Sequence, residues 1–305
     1  NMKLKNIDRM FTYIPNLKTL KLNDSTLVSG SVENMFSPSL TTLELTNLTF
    51  GDGITNLTGM FRGCRNLTTL DVSSLNTSNS VAFTGMFSDC SSLTAIDISN
   101  FDLSNASSLL NMFSGCSSLT SVNLEGITYN RGLLGDLRYM FTNCSSLVEI
   151  DISHIANDAS NVAHMFQGCS NLTKVNISNW TDINDGGGSH QYIFNGTNSL
   201  RELICYGCPA SLRQKFSMWI SSVTPSDVRI MYCYDIANVG QDRFIQFPSN
   251  ENLINADVAL LKTPLLKIIN LLDVVEEGTL NLGSNKARLT EEELLIATSK
   301  GWVVI

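Results

Sequence analysis

One 14-residue unit, repeated along the chain, constrains the fold more than any other feature of the sequence. Its clearest copy reads GMFRGCRNLTTLDV, and the Met that follows its first residue recurs every 25 to 28 residues, with Ile193 in its place in the last copy. A fixed period in this range predicts a solenoid, in which each turn of the chain buries its apolar face against its neighbours. The eight copies span 9–22, 34–45, 59–72, 85–98, 111–124, 139–152, 164–177 and 192–205.

Two apolar periods lie side by side within each unit. The first half carries apolar residues at i, i+3, i+4 and i+7, as from Leu57 to Cys64, and this spacing predicts a short helix. The second half reads L-x-x-L-x-L, as from Leu67 to Val72, and its last positions alternate as in a half-buried strand. The sequence therefore predicts an α/β leucine-rich repeat solenoid, right-handed, with a parallel sheet on its concave side and short helices on its convex side.

The repeat also carries a family resemblance. The pattern Met-Phe-x-x-Cys-x-x-Leu-x-x-Leu-x-Leu, with linkers such as SNFDLSNASSLLNMF (99–113), resembles the BspA-like, or Treponema pallidum-type, leucine-rich repeats of bacterial surface proteins. The resemblance covers most of the chain. It implies a bacterial cell-surface or extracellular location and a role in recognition or adhesion. It also implies that CPASLRQKFSMW (208–219), a Pro-Ala-Ser-Leu segment that ends in Trp, closes the array.

The repeat pattern fails beyond Cys205, where the segment VRIMYCYDI (228–236) predicts a strand. We therefore expect a solenoid with its terminal capping segment over 1–235, and a small α/β cap or appended domain over 236–305. The glycine-rich stretch TDINDGGGSH (181–190) predicts a solvated insertion in the last unit, with a functional loop as the alternative.

The tail contains signals for two helices and a final strand. Thr263 is a favoured N-cap residue and Pro264 suits the first helical position, so together they predict a helix over 265–272. Thr290 and Glu293 form a capping box that predicts a second helix, and the segment 302–305 then predicts a short strand.

Composition and charge exclude several classes of partner. With 43% hydrophobic and 16% charged residues the chain has ample material for a continuous core. A formal charge of −8 and the lack of a basic stripe argue against nucleic acid and anionic membranes as partners. No apolar run approaches the ~18 residues of a membrane span. The chain begins within a repeat, which predicts that Asn1 is not the native start and that a signal peptide or anchor precedes it.

Five of the eight cysteines occupy one column of the repeat. Because this column belongs to the apolar face that also carries Met and Phe, the sequence predicts buried thiols that pack as small hydrophobes, with disulfides between adjacent coils as the alternative. The column consists of Cys64, Cys90, Cys116, Cys144 and Cys169.

Cys205 and Cys208 form a C-x-x-C pair, the spacing of a redox motif. Cys205 occupies the last inward position of the strand pattern, so we predict that it lies in the core. A disulfide from either residue to Cys233 stays open as an alternative. Zinc is disfavoured, because the sequence has no second C-x-x-C and no paired histidines.

The sequence predicts a protein that is not an enzyme and needs no cofactor. It has three histidines, His154, His164 and His190, and none has the neighbours that would complete a nucleophile, base and orienting group. The carboxylates are scattered by the repeat and are not gathered into an acid and base pair.

The remaining candidate site is the outward face of the predicted sheet. Side chains between the buried leucines form a mildly acidic strip, a surface that repeat proteins use for extended ligands. We name this set the polar strip: Thr69, Asp71, Asp97, Ser121, Asn123, Glu149, Asp151, Lys174 and Asn176. We expect a recognition or adhesion module that binds a host protein or glycan there, as a monomer or with weak self-association. The alternative is a structural spacer or self-associating envelope array without a ligand.

Overall fold

A computed structural model shows two compact units, Asn1–Val228 and Arg229–Ile305. The residues that the structure describes are 3–5, 7–29, 31–130, 133–153, 155, 161–181, 183, 192–205, 208–209, 212, 215, 229–231, 253–255, 278–281, 290–299 and 302–304.

The first unit is a parallel β-solenoid, and we call each turn of its chain a coil. Its short strands pair in parallel with the equivalent strand of the neighbouring coil. The strands are β1 (Lys3–Lys5), β2 (Thr19–Lys21), β3 (Thr26–Ser29), β4 (Thr42–Glu44), β5 (Thr49–Gly53), β6 (Ala95–Asp97), β7 (Asp102–Leu103), β8 (Ser121–Asn123), β9 (Thr128–Tyr129), β10 (Glu149–Asp151), β11 (Lys174–Asn176) and β12 (Glu202–Ile204).

The strands form two sets of ladders along this unit. In the first set, which comes from the second halves of the repeats, β2 pairs with β4, β6 pairs with β8, and β11 pairs with both β10 and β12. In the second set, which comes from the segments outside the repeats, β3 pairs with both β1 and β5, and β7 pairs with β9. In the last ladder of the first set Ile150 lies opposite Val175, which lies opposite Leu203, and all three are buried. The L-x-L alternation therefore forms the parallel strands that it predicts.

The predicted helices are wrong, and with them the leucine-rich repeat fold. No α-helix occurs in the described residues between 7 and 205. In the third coil the N–H groups of Leu57, Gly59, Phe61 and Gly63 donate to carbonyl oxygens of the next coil, at 2.8–2.9 Å. The N–H groups of Met60 and Arg62, which lie between them, close β-turns onto the residue three positions earlier. An α-helix needs all of these donors for bonds to the residue four positions earlier, so the segment is a ribbon of consecutive turns.

The backbone conformation of this ribbon is incompatible with a helix. Residues directly before the Met of each unit lie in the left-handed region, with φ between 47° and 59°. Right-handed helices of L-residues exclude such angles. We name these residues the αL column: Arg9, Asn34, Gly59, Gly85, Asn111, Tyr139 and His164.

The apolar face that the helix was expected to bury is nevertheless buried. Leu57, Met60, Phe61 and Cys64 are each 0% exposed, because the turn ribbon also places these positions on one side. The Phe side chains of successive coils stack face to face, with ring centroids 5.1–6.3 Å apart. This Phe column consists of Phe11, Phe36, Phe61, Phe87, Phe113, Phe141, Phe166 and Phe194.

The second unit contains strands β13 (Arg229–Met231), β14 (Leu253–Asn255), β15 (Gly278–Asn281) and β16 (Trp302–Val304), and helix α1 (Glu291–Thr298). Strands β14, β15 and β16 form a parallel sheet in that order. Helix α1 begins directly after Thr290 and β16 follows it, so the predicted order of strand, helix and strand is confirmed here.

Other predictions for the tail and the insertion fall outside the described residues. They concern the helix over 265–272, nearly all of the insertion 181–190 and most of the closing segment 208–219. The assignment of 236–305 as a cap or appended domain stays a prediction.

Candidate functional site

The polar strip lies along the first set of ladders. Seven of its nine residues are exposed, and Lys174 and Asn176 are half-buried. Parallel pairing places Asp97 beside Asn123 and Glu149 beside Lys174. The strip therefore consists of two rows, one on each side of a central residue that is buried, or half-buried in the case of Val122. The outer row is Thr69, Ser121, Glu149 and Lys174, with Ala95 between the first two, and the inner row is Asp71, Asp97, Asn123, Asp151 and Asn176.

The inner row holds the turn that follows each strand. The Oδ1 atom of each inner-row side chain accepts a hydrogen bond from the backbone N–H two residues later. The distance is 2.9 Å from Ser73 to Asp71 and 3.1 Å from Glu125 to Asn123. Such bonds are the usual reason for Asp and Asn at turns. The inner row thus has a structural role, so the outer row is the part where substitutions can test binding without disturbing the turns.

Hydrogen bonds also perturb two inner-row carboxylates, those of Asp71 and Asp97. Bonds from Ser73, first from its side chain and then from its backbone, hold the pKa of Asp71 below its ordinary value. Ser99 lowers the pKa of Asp97 in the same way. Donors that bond to the charged form of a carboxylate stabilise that form over the protonated one. Each carboxylate therefore stabilises the fold above its unfolded-state pKa, and that contribution is lost as the pH falls through its folded-state pKa.

We predict that the double variant Asp71→Asn and Asp97→Asn loses less stability in acid than the natural chain. Asn keeps the Oδ1 acceptor, as Asn123 shows in the same row, but it does not titrate. The measurement is urea unfolding at about pH 7 and at intervals down to about pH 2, the range over which the contribution of such carboxylates falls. Equal losses in the two proteins would contradict the prediction. The reverse change, Asn123→Asp, is the matched control and should increase the loss.

The cysteine column is buried, as predicted. Its five members are at most 1% exposed and hold free thiols, so the disulfide alternative is wrong for them. The thiol of Cys116 donates to the carbonyl oxygen of Phe87 at 3.1 Å, and Cys169 donates to Phe141 at 3.0 Å. Burial raises the pKa of Cys64, Cys116 and Cys169 to about 12. These thiols connect neighbouring coils through hydrogen bonds and packing.

We predict that iodoacetamide leaves the five column thiols unmodified in the native protein near pH 8 and modifies all five in guanidinium. The thiolate is the reactive form, and burial suppresses both its formation and its accessibility. Peptide mass spectrometry after tryptic digestion assigns the modification to each cysteine. Native alkylation at Cys116 or Cys144, in the middle of the column, would contradict the prediction.

The C-x-x-C pair is buried as well. Cys205 is 1% exposed, as predicted, and Cys208 is 6% exposed. The thiol of Cys208 donates to the carbonyl oxygen of Ile177 at 3.2 Å. Cys233 lies outside the described residues, so its pairing stays a prediction. Within the described part of the chain no cluster of three or more His, Cys, Asp or Glu side chains is placed to hold a metal ion.

The αL column ends in stacked aromatic rings that the analysis of the sequence missed. The ring of His164 lies between those of Tyr139 and Tyr192, with centroid distances of 4.7 and 5.2 Å and nearly parallel planes. The Nδ1 atom of His164 lies 2.6 Å from Oε1 of Gln167. The signal was available in the sequence, because these rings precede the Met or Ile of three successive units. His154 and His190 lie outside the described residues.

Comparison with known families agrees with the repetitive architecture. The profile of a family described as "Mycoplasma protein of unknown function, DUF285" matches residues 30–153 and again 123–204, which together make up more than half of the chain. The chain belongs to the DUF285 family. The search of curated proteins gave no match. The two DUF285 matches cover the regular coils from the second to the eighth, which contain the whole polar strip.

The DUF285 chain also has a groove on the side of its αL column. The groove encloses about 270 Å³ above Gly59 and Gly85. Polar side chains from the second to the fifth coil line it, among them Glu33, Arg62 and Asp89. No helix in the described residues is long and apolar enough to cross a membrane.

Proposed function

We propose that this DUF285 protein is a non-catalytic recognition module, extracellular or on a bacterial cell surface, that binds a host protein or glycan through its polar strip. The observation that carries the proposal is the in-register outer row. Strand pairing places Ala95 beside Ser121 and Glu149 beside Lys174, at the ~4.8 Å spacing of paired strands. A row of this kind offers many weak polar contacts to one extended ligand, and their sum gives useful affinity.

The inner row supports the proposal because it fixes the surface. Asp97 and Asp151 each hold the turn after their strand, and Asn176 donates from Nδ2 to Oδ2 of Asp151 at 2.8 Å. Side chains that are already ordered lose little conformational entropy when a ligand binds. The resemblance of the repeat to BspA-like sequences supports the surface location and the adhesive role.

The test uses two variants that each add three positive charges. The strip variant carries Thr69→Lys, Ala95→Lys and Ser121→Lys, in the exposed outer row. The control carries Val81→Lys, Ser107→Lys and Leu133→Lys, at exposed positions away from the strip. Matrix proteins, mucins and a glycan array serve as probes, and binding is measured by biolayer interferometry or array fluorescence.

We expect at least one probe to bind the natural chain and the control, and to bind the strip variant at least about tenfold more weakly, a loss of ~1.4 kcal/mol. Equal loss in both variants would indicate a general charge effect and would contradict a site on the strip. Failure of every probe to bind the natural chain would overturn the adhesive role in favour of the structural spacer.

A further inference from the structure

The groove on the αL column is a second candidate binding surface, separate from the polar strip. It lies between Asn34 and Asn111, where the column has Gly59 and Gly85 instead of larger side chains. Its ~270 Å³ is just below the roughly 300–1,000 Å³ of pockets for drug-sized ligands. A cavity of this size suits one ring-sized polar ligand.

Gly85 lies in a backbone conformation that larger residues of the same column also adopt. Gly85 has a φ of +58°, and Asn111 and Tyr139 adopt the same angle in the following coils. A Cβ atom on Gly85 would meet only the Cβ atom of Ser88, at 3.6 Å, which is an ordinary van der Waals contact. A side chain would therefore fit at this position, and its absence is what opens the groove.

The lining of the groove combines donors and acceptors at close range. Arg62 provides a fork of N–H donors, and its Nε lies 4.0 Å from Oδ2 of Asp89. The side chains of Arg62 and Asp89 are 60% and 45% exposed, so both can reach a ligand. Glu33 adds a second carboxylate, and Asn34 donates to Glu33 from Nδ2 at 3.1 Å.

This set of groups fits the hydroxyl groups of a sugar better than it fits an ion. Each sugar hydroxyl is both a donor and an acceptor, so adjacent hydroxyls pair with a carboxylate on one side and with a guanidinium or amide on the other. Thr58, Thr84 and Ser114 add hydroxyls to the lining. Each carboxylate has its own guanidinium, Arg9 at 3.7 Å from Glu33 and Arg62 at 4.0 Å from Asp89, and this balance favours neither a phosphate nor a multivalent cation.

We infer that the groove above Gly59 and Gly85 binds a single sugar unit of a neutral saccharide through Arg62, Asp89 and Glu33. The aromatic stack of Tyr139, His164 and Tyr192 continues the same column beyond Asn111. Tyr192 is 42% exposed there, and its ring combines an apolar body with a polar hydroxyl. Further sugar units of a longer chain would contact this stack.

The test fills the groove without altering the backbone. Gly85→Asn places in the groove the residue that Asn111 provides in the same column. Gly196→Asn is the matched control: Gly196 lies in the eighth coil, away from the groove, has a φ of +77°, and its Cβ would make only ordinary contacts with Gly168, at 3.4 Å. Saturation-transfer difference NMR measures binding of glucose, galactose, N-acetylglucosamine, N-acetylgalactosamine and lactose to the natural chain and both variants.

We expect at least one of these sugars to bind the natural chain and Gly196→Asn equally, and Gly85→Asn at least about tenfold more weakly. Circular dichroism should show that both variants are folded. Failure of all five sugars to bind, or equal binding by Gly85→Asn, would overturn the inference. The lysine variant of the polar strip should keep its sugar binding, so failure of the proposed function and failure of this site are distinguishable.

Discussion

Replacing Phe113 by Ala is expected to lower the free energy of unfolding by about 3–5 kcal/mol, as for other large buried side chains. The Phe113 ring is 0% exposed and lies between the rings of Phe87 and Phe141, at 5.3 and 5.4 Å. Its removal leaves a cavity and ends two stacking contacts, each worth about 0.5–1.5 kcal/mol beyond burial. Urea unfolding followed by circular dichroism measures the change.

Phe11→Ala is the matched control for this prediction, because it makes the same substitution at the same repeat position. Phe11 is half-buried and stacks against a single described ring, that of Phe36, at 6.3 Å. We expect Phe11→Ala to cost less than half as much as Phe113→Ala. Similar costs for the two variants would show that the stack in the middle of the column contributes little beyond the local fold.

Replacing Gly115 by Ala is expected to cost about 1.5–3.5 kcal/mol, the second-largest effect. Gly115 has a φ of +77°, and an L-residue in the left-handed region costs roughly 1–2 kcal/mol. A Cβ atom there would also lie 2.6 Å from Oδ1 of Asp89 in the preceding coil, and displacing this half-exposed side chain from its rotamer adds about 0.5–1.5 kcal/mol. The measurement is again urea unfolding.

Gly63 separates the two contributions to this cost. It has a φ of +73°, but an added Cβ would meet nothing within 4 Å, so Gly63→Ala should show the backbone cost alone. Asp89→Gly should recover part of the loss in the Gly115→Ala background, because it removes the overlapping oxygen. Equal costs at Gly63 and Gly115, without rescue by Asp89→Gly, would mean that the overlap with Asp89 does not contribute to the loss of stability.

The candidate site was only partly predictable from the sequence. The outward positions of the L-x-x-L-x-L pattern predicted the exposed residues of the polar strip, because side chains alternate along any strand. The sequence did not show that Asp71 and Asp97 hold turns, which separates the strip into an inner and an outer row. The stack of Tyr139, His164 and Tyr192 was missed because each ring seemed an isolated residue within its own unit.

The apolar period of i, i+3, i+4 and i+7 was assigned to a helix because a helix is the usual structure that places those positions on one face. A ribbon of β-turns buries the same positions, from Leu57 to Cys64, and so the period alone cannot separate the two. Glycines before the Met and before the Cys, as at Gly59 and Gly63, were the local sign against a helix, since both adopt positive φ.

The sequence by itself determined that this chain is a repeat protein and which side chains of its regular coils are buried, such as Leu57, Met60, Phe61 and Cys64. These properties follow from the types of residue and their spacing within one unit. Apolar side chains are driven out of water whether the backbone forms a helix or a ribbon of turns. Only the tertiary structure decided the path of the backbone. The N–H groups of Gly59, Phe61 and Gly63 donate to the next coil and not along their own segment. These hydrogen bonds can form only when the neighbouring coil, 25 to 28 residues away in the sequence, is in place.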